Sequence, residues 1–599
     1  MKHNKLKLLT LGLVVIPLMS GCKKGLDILD SKTTITLEPF SASGYGFQYL
    51  IDVGNEWSKQ YLNGKYTIHV KTSSTKNGVA QVGEIDSNST NTDVYFGGDP
   101  KYSKGFYKGY FEDLTDFVEL EPDNDGVSIK DKIPNYDAWR KSASKLDWTS
   151  ADSDPTYSGL YMIPFSRTFI GLVFDYQDFY EKGLLVFAKN DEATKSELDN
   201  QGITYETSGQ RLIYTGNEET DYLKNGDFIA SKGNDGLYGT YDDGQPQTYD
   251  EFSEQLTKIK LKYSTVAFAS NPGDCYLQNL FEALFAQTAG VDAYYALASF
   301  DSGNPIQLVD NSNANSEKVT INWKNGYKAY QAKWIKESMD KVYNLFCKSK
   351  VETKYVTGAK VTNAQGAFVG GLEKQDKDHV CYLVEGNWWE KEAESRLTQI
   401  GSYGSGKFRD FRMMPMPSID GGLGLDGNGH GKVFSAPECG AICIRKQSDP
   451  DKLAAIKDFL LYFLKNDTLA KITSNVGLFF GYNYTISENL YSKMSPFVKY
   501  CYNVLKDDDN CKVLSRAVDM MAAPFSFTCG TEFHAGDDLF PLMEGAEIAS
   551  VTKKLFLDQM DKSYDTSIIW DQIRGTYTEN QWNGFVQTSL SQFNAWNRQ

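Results

Sequence analysis

YMIPFSRTFIGLVFDYQDFYEKGL, residues 161–184, holds two apolar runs on either side of a Pro-Phe-Ser-Arg-Thr turn. Upstream, Thr34-Ile-Thr-Leu-Glu38 alternates and is rich in β-branched residues, so it predicts a first strand. The loop PFSASGYG (39–46) follows, then helical spacing through Phe47, Leu50, Ile51 and Trp57. Tyr66–Val70 predicts a second strand, and Asp93–Phe96 a third that ends in Gly97-Gly98-Asp99. Strands alternating with helical patterns predict an α/β fold, in which ligand loops gather at the strand C-termini.

Downstream, Thr248-Tyr-Asp-Glu251 is a capping box ahead of Phe252, Leu256 and Ile259 on one helix face. Ser448-Asp-Pro-Asp451 opens another helix, with a broad apolar stripe from Leu453 to Leu464. Residues 189–247 are polar, Gly- and Asp-rich and weakly periodic, which predicts an insertion or elaborated loop. Residues 545–598 read as helices, and no internal repeat is visible.

The N-terminus sets the compartment. Lys2, Lys5 and Lys7 precede an apolar run from Leu8 to Met19, and Ser20-Gly21 stands directly before Cys22. That order reads as an export signal, and the run is too short for a permanent membrane span. The cysteine at the cut resembles a bacterial lipobox, with Met19 where Leu is usual. The resemblance implies a mature chain that starts at a lipidated Cys22 and is anchored to the outer face of a membrane; a plain signal with a chance cysteine is the alternative. Removing residues 1–21 takes out three lysines and moves the formal net charge from −16 to −19. No Lys/Arg run remains, which argues against nucleic-acid partners. The 578 residues left are enough for two or more lobes. With 37 Tyr, 34 Phe and 10 Trp, the chain suits ligands that stack on rings and hydrogen-bond at their edges, such as sugars.

Eight cysteines follow Cys22, at 275, 347, 381, 439, 443, 501, 511 and 529. An exported chain can form disulfides, and Cys501 and Cys511, which flank a KDDDN-containing loop, are the best-matched pair. Cys439 and Cys443 share one face of the strand-like run ECGAICI, about 13 Å apart, and read as buried hydrophobes. Five scattered histidines and the lack of a CxxC or HExxH motif argue against zinc.

In the order of its segments the chain resembles the extracellular solute-binding proteins of ABC importers, in the sugar-binding branch that includes maltose-binding protein. The likeness rests on Ser43–Gly46, on residues 161–184, on Thr248–Phe252, on CYLVEGNWWEKEAESR (381–396), and on FRMMPMPSIDGG (411–422) leading into residues 440–464. Each is loose, but the five stand in family order. The chain is longer than typical members, with the excess in 189–247 and 340–380, and it has Asp175 where the family carries Asn. The resemblance implies an α/β, two-lobed, type II periplasmic-binding-protein-like fold. The expected divisions are 1–21 signal, 22–33 tether, 34–165 first part of lobe 1, 166–415 lobe 2 with its insertion, 416–490 the return to lobe 1, and 491–599 C-terminal helices mainly of lobe 2. Hinge crossings are expected near 163–168, 415–432 and 485–500. Function would be carbohydrate capture by hinge closure and delivery to a membrane permease, by a monomer without catalysis.

Ligand candidates are Tyr45 between glycines in the first cleft loop, Asp99 at a strand end, Arg167 in the first crossing, Trp388 and Trp389 after Gly386-Asn387, and Glu438. Of two adjacent indoles only one is expected to face a cleft, the other being core. Asn234, Asp235, Asp242 and Asp243 offer hard oxygens for Ca²⁺, although a hairpin with Asx turns explains the same letters. Gly401–Lys407 has phosphate-loop spacing but is followed by Phe408 instead of Ser or Thr, and reads as a loop. Two rival functions stay open: an exported glycoside hydrolase, which needs paired carboxylates, and a non-transport glycan-capture lipoprotein.

Overall fold

The computed structural model describes residues 33–515 except 41–43, 73–77, 98–101, 121, 123–124, 148–155, 268–276, 300–301, 309–316, 323, 333, 336, 339–340, 342–360, 405–406, 426–428, 430 and 437–438, and nine positions between 578 and 591. Cys22, Asp99, Glu438 and most of the expected C-terminal helices lie outside the described residues. Eleven strands form two sheets: β1 Thr34–Pro39, β2 Thr67–Val70, β3 Val94–Gly97, β4 Ile163–Arg167, β5 Ile170–Asp175, β6 Ser264–Ala267, β7 Val380–Gly386, β8 Phe411–Met414, β9 Lys432–Ala436, β10 Cys439–Ile444 and β11 Cys511–Ser515.

The first sheet has the order β2-β1-β3-β10-β4, with β1 parallel to β2 and β3, and β10 antiparallel to β3 and β4. Parallel neighbours need crossover helices. Gln48–Gln60 and Gly78–Asp86 supply them. Trp57, Phe96, Phe165, Phe459, Phe463 and Phe480 fill the core of this lobe, lobe 1. Helix Pro450–Phe463 starts at Asp449, whose carboxylate accepts the N–H groups of Asp451 and Lys452, and Pro450 occupies the first turn.

The second sheet, lobe 2, has the order β6-β7-β5-β9-β11, with β8 also paired to β5. It is buried on both faces. Ile170, Leu172 and Phe174 of β5 enter one core, while Val173 enters the other with Met413 and Phe434. The capping box at Thr248 and Glu251 opens helix Tyr249–Lys262 on the first of these faces. A Cβ on Gly171 would sit 2.7 Å from the Met414 carbonyl oxygen and 2.8 Å from Phe434 Cε1, so only glycine allows β8 and β9 to approach β5.

The chain passes from β4 to β5 through Thr168 and Phe169 alone. The expected crossing at 415–432 is displaced: Met416 and Ile419 belong to the lobe 2 core, and β9 still lies in the second sheet, so the passage falls between Ala436 and Cys439. A further passage runs from Tyr484, packed in lobe 1, to Phe497, packed in lobe 2.

Residues 189–247 are more ordered than their polarity predicts. Asp191 caps helix Glu192–Asn200, Tyr205–Ser208 pairs with Arg211–Tyr214, and Leu198, Leu212, Leu223, Ile229 and Tyr238 form a small core. Arg412 of β8 ties this insertion to lobe 2. Its buried guanidinium lies 3.3 Å from the Tyr176 ring centroid and 5.2 Å from that of Tyr222, and donates to the Tyr241 carbonyl and to Asp410.

The expected Cys501–Cys511 disulfide does not form. Both thiols are free and buried: Cys501 faces the core from helix Pro496–Lys506, and Cys511 begins β11. Cys443 is likewise a buried free thiol. Gly171→Ala is expected to cost about 2 kcal/mol through overpacking, read as a lowered urea midpoint of the chain from residue 24. An unchanged midpoint would mean that β8 and β9 do not crowd β5.

Candidate functional site

The strand β7 delivers Glu385-Gly386-Asn387-Trp388-Trp389-Glu390 to the seam between the lobes. The two indoles separate by role. Trp389 is fully buried, edge-on to Phe368, Phe411 and Phe497 at centroid distances of 5.6, 4.9 and 5.9 Å. It is a core anchor. Trp388, the other ligand candidate of the pair, is itself only 8% exposed, belongs to the lobe 2 core, and does not line the cavity between the lobes. The Trp388 indole folds back over Gly386, where a Cβ would meet it at 2.3 Å.

From lobe 1, the loop Gly44-Tyr45-Gly46 meets this segment. Gly44 has φ +68, and a Cβ there would lie 2.8 Å from Glu392 Cα, so the lobes touch backbone to backbone. Tyr45 packs against the cores of both lobes, and its hydroxyl is buried without a hydrogen-bond partner. Burial raises that phenol far above its ordinary range. Tyr107 and Tyr157, also from lobe 1, pack against the lobe 2 core. Nothing in their local sequence singled them out.

Arg167 closes β4, donates its N–H to the Phe479 carbonyl at 2.9 Å, and sits half-buried at the hinge. A cavity of about 290 Å³ lies between the lobes, lined by Tyr45, Asn387, Glu390, Tyr403 and Lys493 among others. A second, wider one of about 750 Å³ has Lys130, Tyr136 and Lys141 of lobe 1 facing Asp292, Tyr295 and Lys512 of lobe 2. Both volumes are on the scale of small-molecule sites.

Two buried carboxyls mark the lobe 2 wall. Burial pushes Glu385 up to about 8, with the Glu392 charge adding to the rise and the Gly386 N–H opposing it. The Gln365 amide donates to Glu385 at 3.1 Å and to Glu392 at 2.6 Å. Burial likewise pushes Glu390 up to about 7, against the Ser495 hydroxyl that donates to it at 2.5 Å. Protonated carboxyls of this kind can donate as well as accept hydrogen bonds.

Three of the four calcium candidates have carboxylate oxygens engaged by the loop itself, and the fourth, Asn234, enters through its backbone N–H. Asp242 accepts from the Asn234 N–H at 2.6 Å, Asp243 from the Gly239 N–H at 2.6 Å, and Asp235 from the Leu237 N–H at 2.8 Å. Burial, with the charge of a neighbouring aspartate adding to it, holds Asp242 near 6 and Asp243 well above the carboxylate range. Among the described residues no group of three or more His, Cys, Asp or Glu side chains is arranged to hold a metal ion. Asp235 makes the Asx turn with Leu237, while Asp242 and Asp243 accept from N–H groups farther back along the loop.

No protein-family model and no curated protein sequence matches the chain. Solved structures do. The apo form of RafE from Streptococcus pneumoniae is 13% identical, with 92% of this chain and 98% of that one covered and a TM-score of 0.50. A probable secreted solute-binding lipoprotein from Streptomyces coelicolor is 10% identical, with 91% and 98% covered and a TM-score of 0.51. RafE in complex with raffinose gives 14% identity, 91% and 100% coverage and a TM-score of 0.49.

Because folding places Glu385 and Glu390 in low-dielectric surroundings, their folded pKa values exceed those of the unfolded chain. Their effect on stability is therefore absent below about pH 4.3 and grows into a penalty as pH rises through 7 to 8. Glu385→Gln is expected to flatten the fall in urea stability between pH 5 and pH 8 relative to the unsubstituted chain. Parallel pH profiles for the two proteins would contradict the raised carboxyl. In its two sheets, its short hinge and its seam of converging side chains, the chain has the two-lobed α/β fold of the solute-binding proteins.

Proposed function

We propose that this chain is an exported solute-binding receptor that takes a carbohydrate between its lobes and hands it to the permease of an ABC importer. It is held at the membrane by lipid on Cys22, works as a monomer, and does no catalysis. The observation that carries the reading is the meeting of Tyr45 and the Glu385–Glu390 segment across a two-residue hinge, with a buried Tyr45 hydroxyl left unpartnered. A ligand that supplies an acceptor to that hydroxyl, and hydroxyl groups to the neighbouring carboxyls, gains those contacts only when the lobes are closed. Such differential affinity shifts the population toward closure. Ring faces at Tyr45 and Trp388 suit the apolar faces of a pyranose. Among the described residues no helix is long and apolar enough to cross a membrane.

The test is a thermal-shift screen of the chain from residue 24 against raffinose, maltose oligomers and common monosaccharides. A ligand at 100 times its Kd adds about 2.7 kcal/mol to the folded state, a visible rise in Tm, and the sugar should be recovered intact. Trp388→Ala should abolish the rise. Trp389→Ala should instead lower the Tm of the free protein, by the ~3–5 kcal/mol of an emptied aromatic site. Cleavage of the sugar would move the chain to the glycoside hydrolases. No shift across the panel would remove carbohydrate as the ligand.

A further inference from the structure

We infer that Asn387 is a positioning residue that couples the ligand segment at Trp388 to the hinge, an inference that rests on reading the seam as a ligand site. Asn387 is buried at 3% exposure and makes three hydrogen bonds, all to the hinge. The regular pairing of β7 with β5 ends at Gly386 opposite Ile170. The Asn387 N–H then donates to the Phe169 carbonyl at 3.0 Å and adds one more rung. Beyond it the side chain takes over from the backbone. Its Oδ1 accepts the Phe169 N–H at 3.3 Å, and its Nδ2 donates to the Arg167 carbonyl at 3.2 Å.

Arg167 is the last residue of a lobe 1 strand, whereas Asn387 belongs to lobe 2. One side chain therefore bonds to both ends of the crossing, on the far side of a peptide bond from Trp388. Gly386 adds to the coupling from the other side, because its missing Cβ lets the indole rest directly on the backbone next to Asn387. The amide is the side chain this place requires. It needs one acceptor and one donor in a fixed plane, which an apolar side chain lacks and which an ionised aspartate lacks in part, since its second oxygen would face the Arg167 carbonyl. The same contact sets the backbone of Arg167, the ligand candidate on the opposite side of the hinge. Charged groups around Asn387 are Arg167 on β4, Glu385 on β7, and Glu390 and Lys391 on the helix that follows.

The experiment is amide hydrogen exchange at Phe169 in the chain from residue 24, in five forms: unsubstituted, Asn387→Ala, Asn387→Asp, Trp388→Ala and the Asn387→Ala/Trp388→Ala double variant. Asn387→Ala is expected to speed exchange at Phe169 by about tenfold with amides elsewhere in β4 and β5 unchanged. Asn387→Asp should be fast at pH 7.5 and slow at pH 5, relative to the unsubstituted chain at each pH, because a protonated carboxyl can again donate to Arg167. Trp388→Ala should also speed Phe169, and the double variant should be no faster than Asn387→Ala alone. Additive effects, or Phe169 exchange unaffected by Asn387→Ala, would overturn the coupling. Raffinose at saturation should slow Phe169 in the unsubstituted chain and leave Asn387→Ala unaltered. If raffinose changes nothing in the unsubstituted chain, the sugar reading suffers, while the double variant still decides the role of Asn387.

Discussion

Two residues, Thr168 and Phe169, carry the chain from one sheet to the other, and the architecture follows from how short that link is. An extended residue spans at most about 3.6 Å, so Arg167 and Ile170 stay within roughly 11 Å of each other whatever the lobes do. The sheets can rotate about this point but cannot drift apart. The link is also buried: Phe169 is fully enclosed and Thr168 is 5% exposed, and their backbone groups need partners that water cannot supply. Asn387 answers that need at Phe169, and just before the crossing the Phe479 carbonyl accepts the N–H of Arg167. The segment Leu478–Tyr482 runs beside the end of β4, with the Gly481 N–H donating to the Phe165 carbonyl and the Tyr482 hydroxyl to the Pro164 carbonyl. The hinge is thus a short strand end held by neighbours from both lobes, and the ligand segment is one of those neighbours.

How much of this was legible in the sequence depends on how local the cause was. Strands at 34–38 and 93–96 and the helix after Thr248 could be read, because alternation, β-branching and a capping box are properties of adjacent letters. The helix at Glu192–Asn200 escaped a periodicity reading because only Leu198 on it is buried. Its signal was the Asp191 cap, which accepts the Thr194 N–H at 2.8 Å. The Cys501–Cys511 pairing failed for a non-local reason. The two residues lie close in sequence, but their side chains join a core that includes Phe497, Val504 and Val513, where a thiol is one more small apolar group. The second crossing was set too early because a Pro-rich run looks like a connector, whereas Met416 and Ile419 are anchored in the lobe 2 core before β9 begins.

The site divides along the same line. Tyr45 and Trp388 could be named from their glycine neighbours. Asn387 could not, since its partners are more than two hundred residues away in sequence. Glu385 and Glu390 were invisible as special carboxyls among 78 acidic residues, because what sets them apart is burial rather than neighbouring letters. The acidic loop at 234–243 supports two readings. Four oxygen-bearing residues among glycines look like a cation site, but glycine turns also expose backbone N–H groups, and those N–H groups reach the carboxylates first.

The aromatic excess has to be weighed with the same care. As composition it pointed to sugar, yet Trp57, Trp139, Trp389 and Trp582 are all fully buried, and many of the described Phe residues are buried in the three large cores. A protein with two lobes must fill several cores, and rings fill them efficiently. What distinguishes ligand rings from core rings here is position at the seam together with an unsatisfied polar end. Tyr45 meets both conditions, Trp389 meets only the second, since its unpartnered Nε1 lies inside the core, and Trp388 meets only the first, since its side chain is hydrogen-bonded to Glu385. The argument for a ligand therefore rests on a few side chains that reach across the hinge, and the number of aromatic residues in the chain adds little to it.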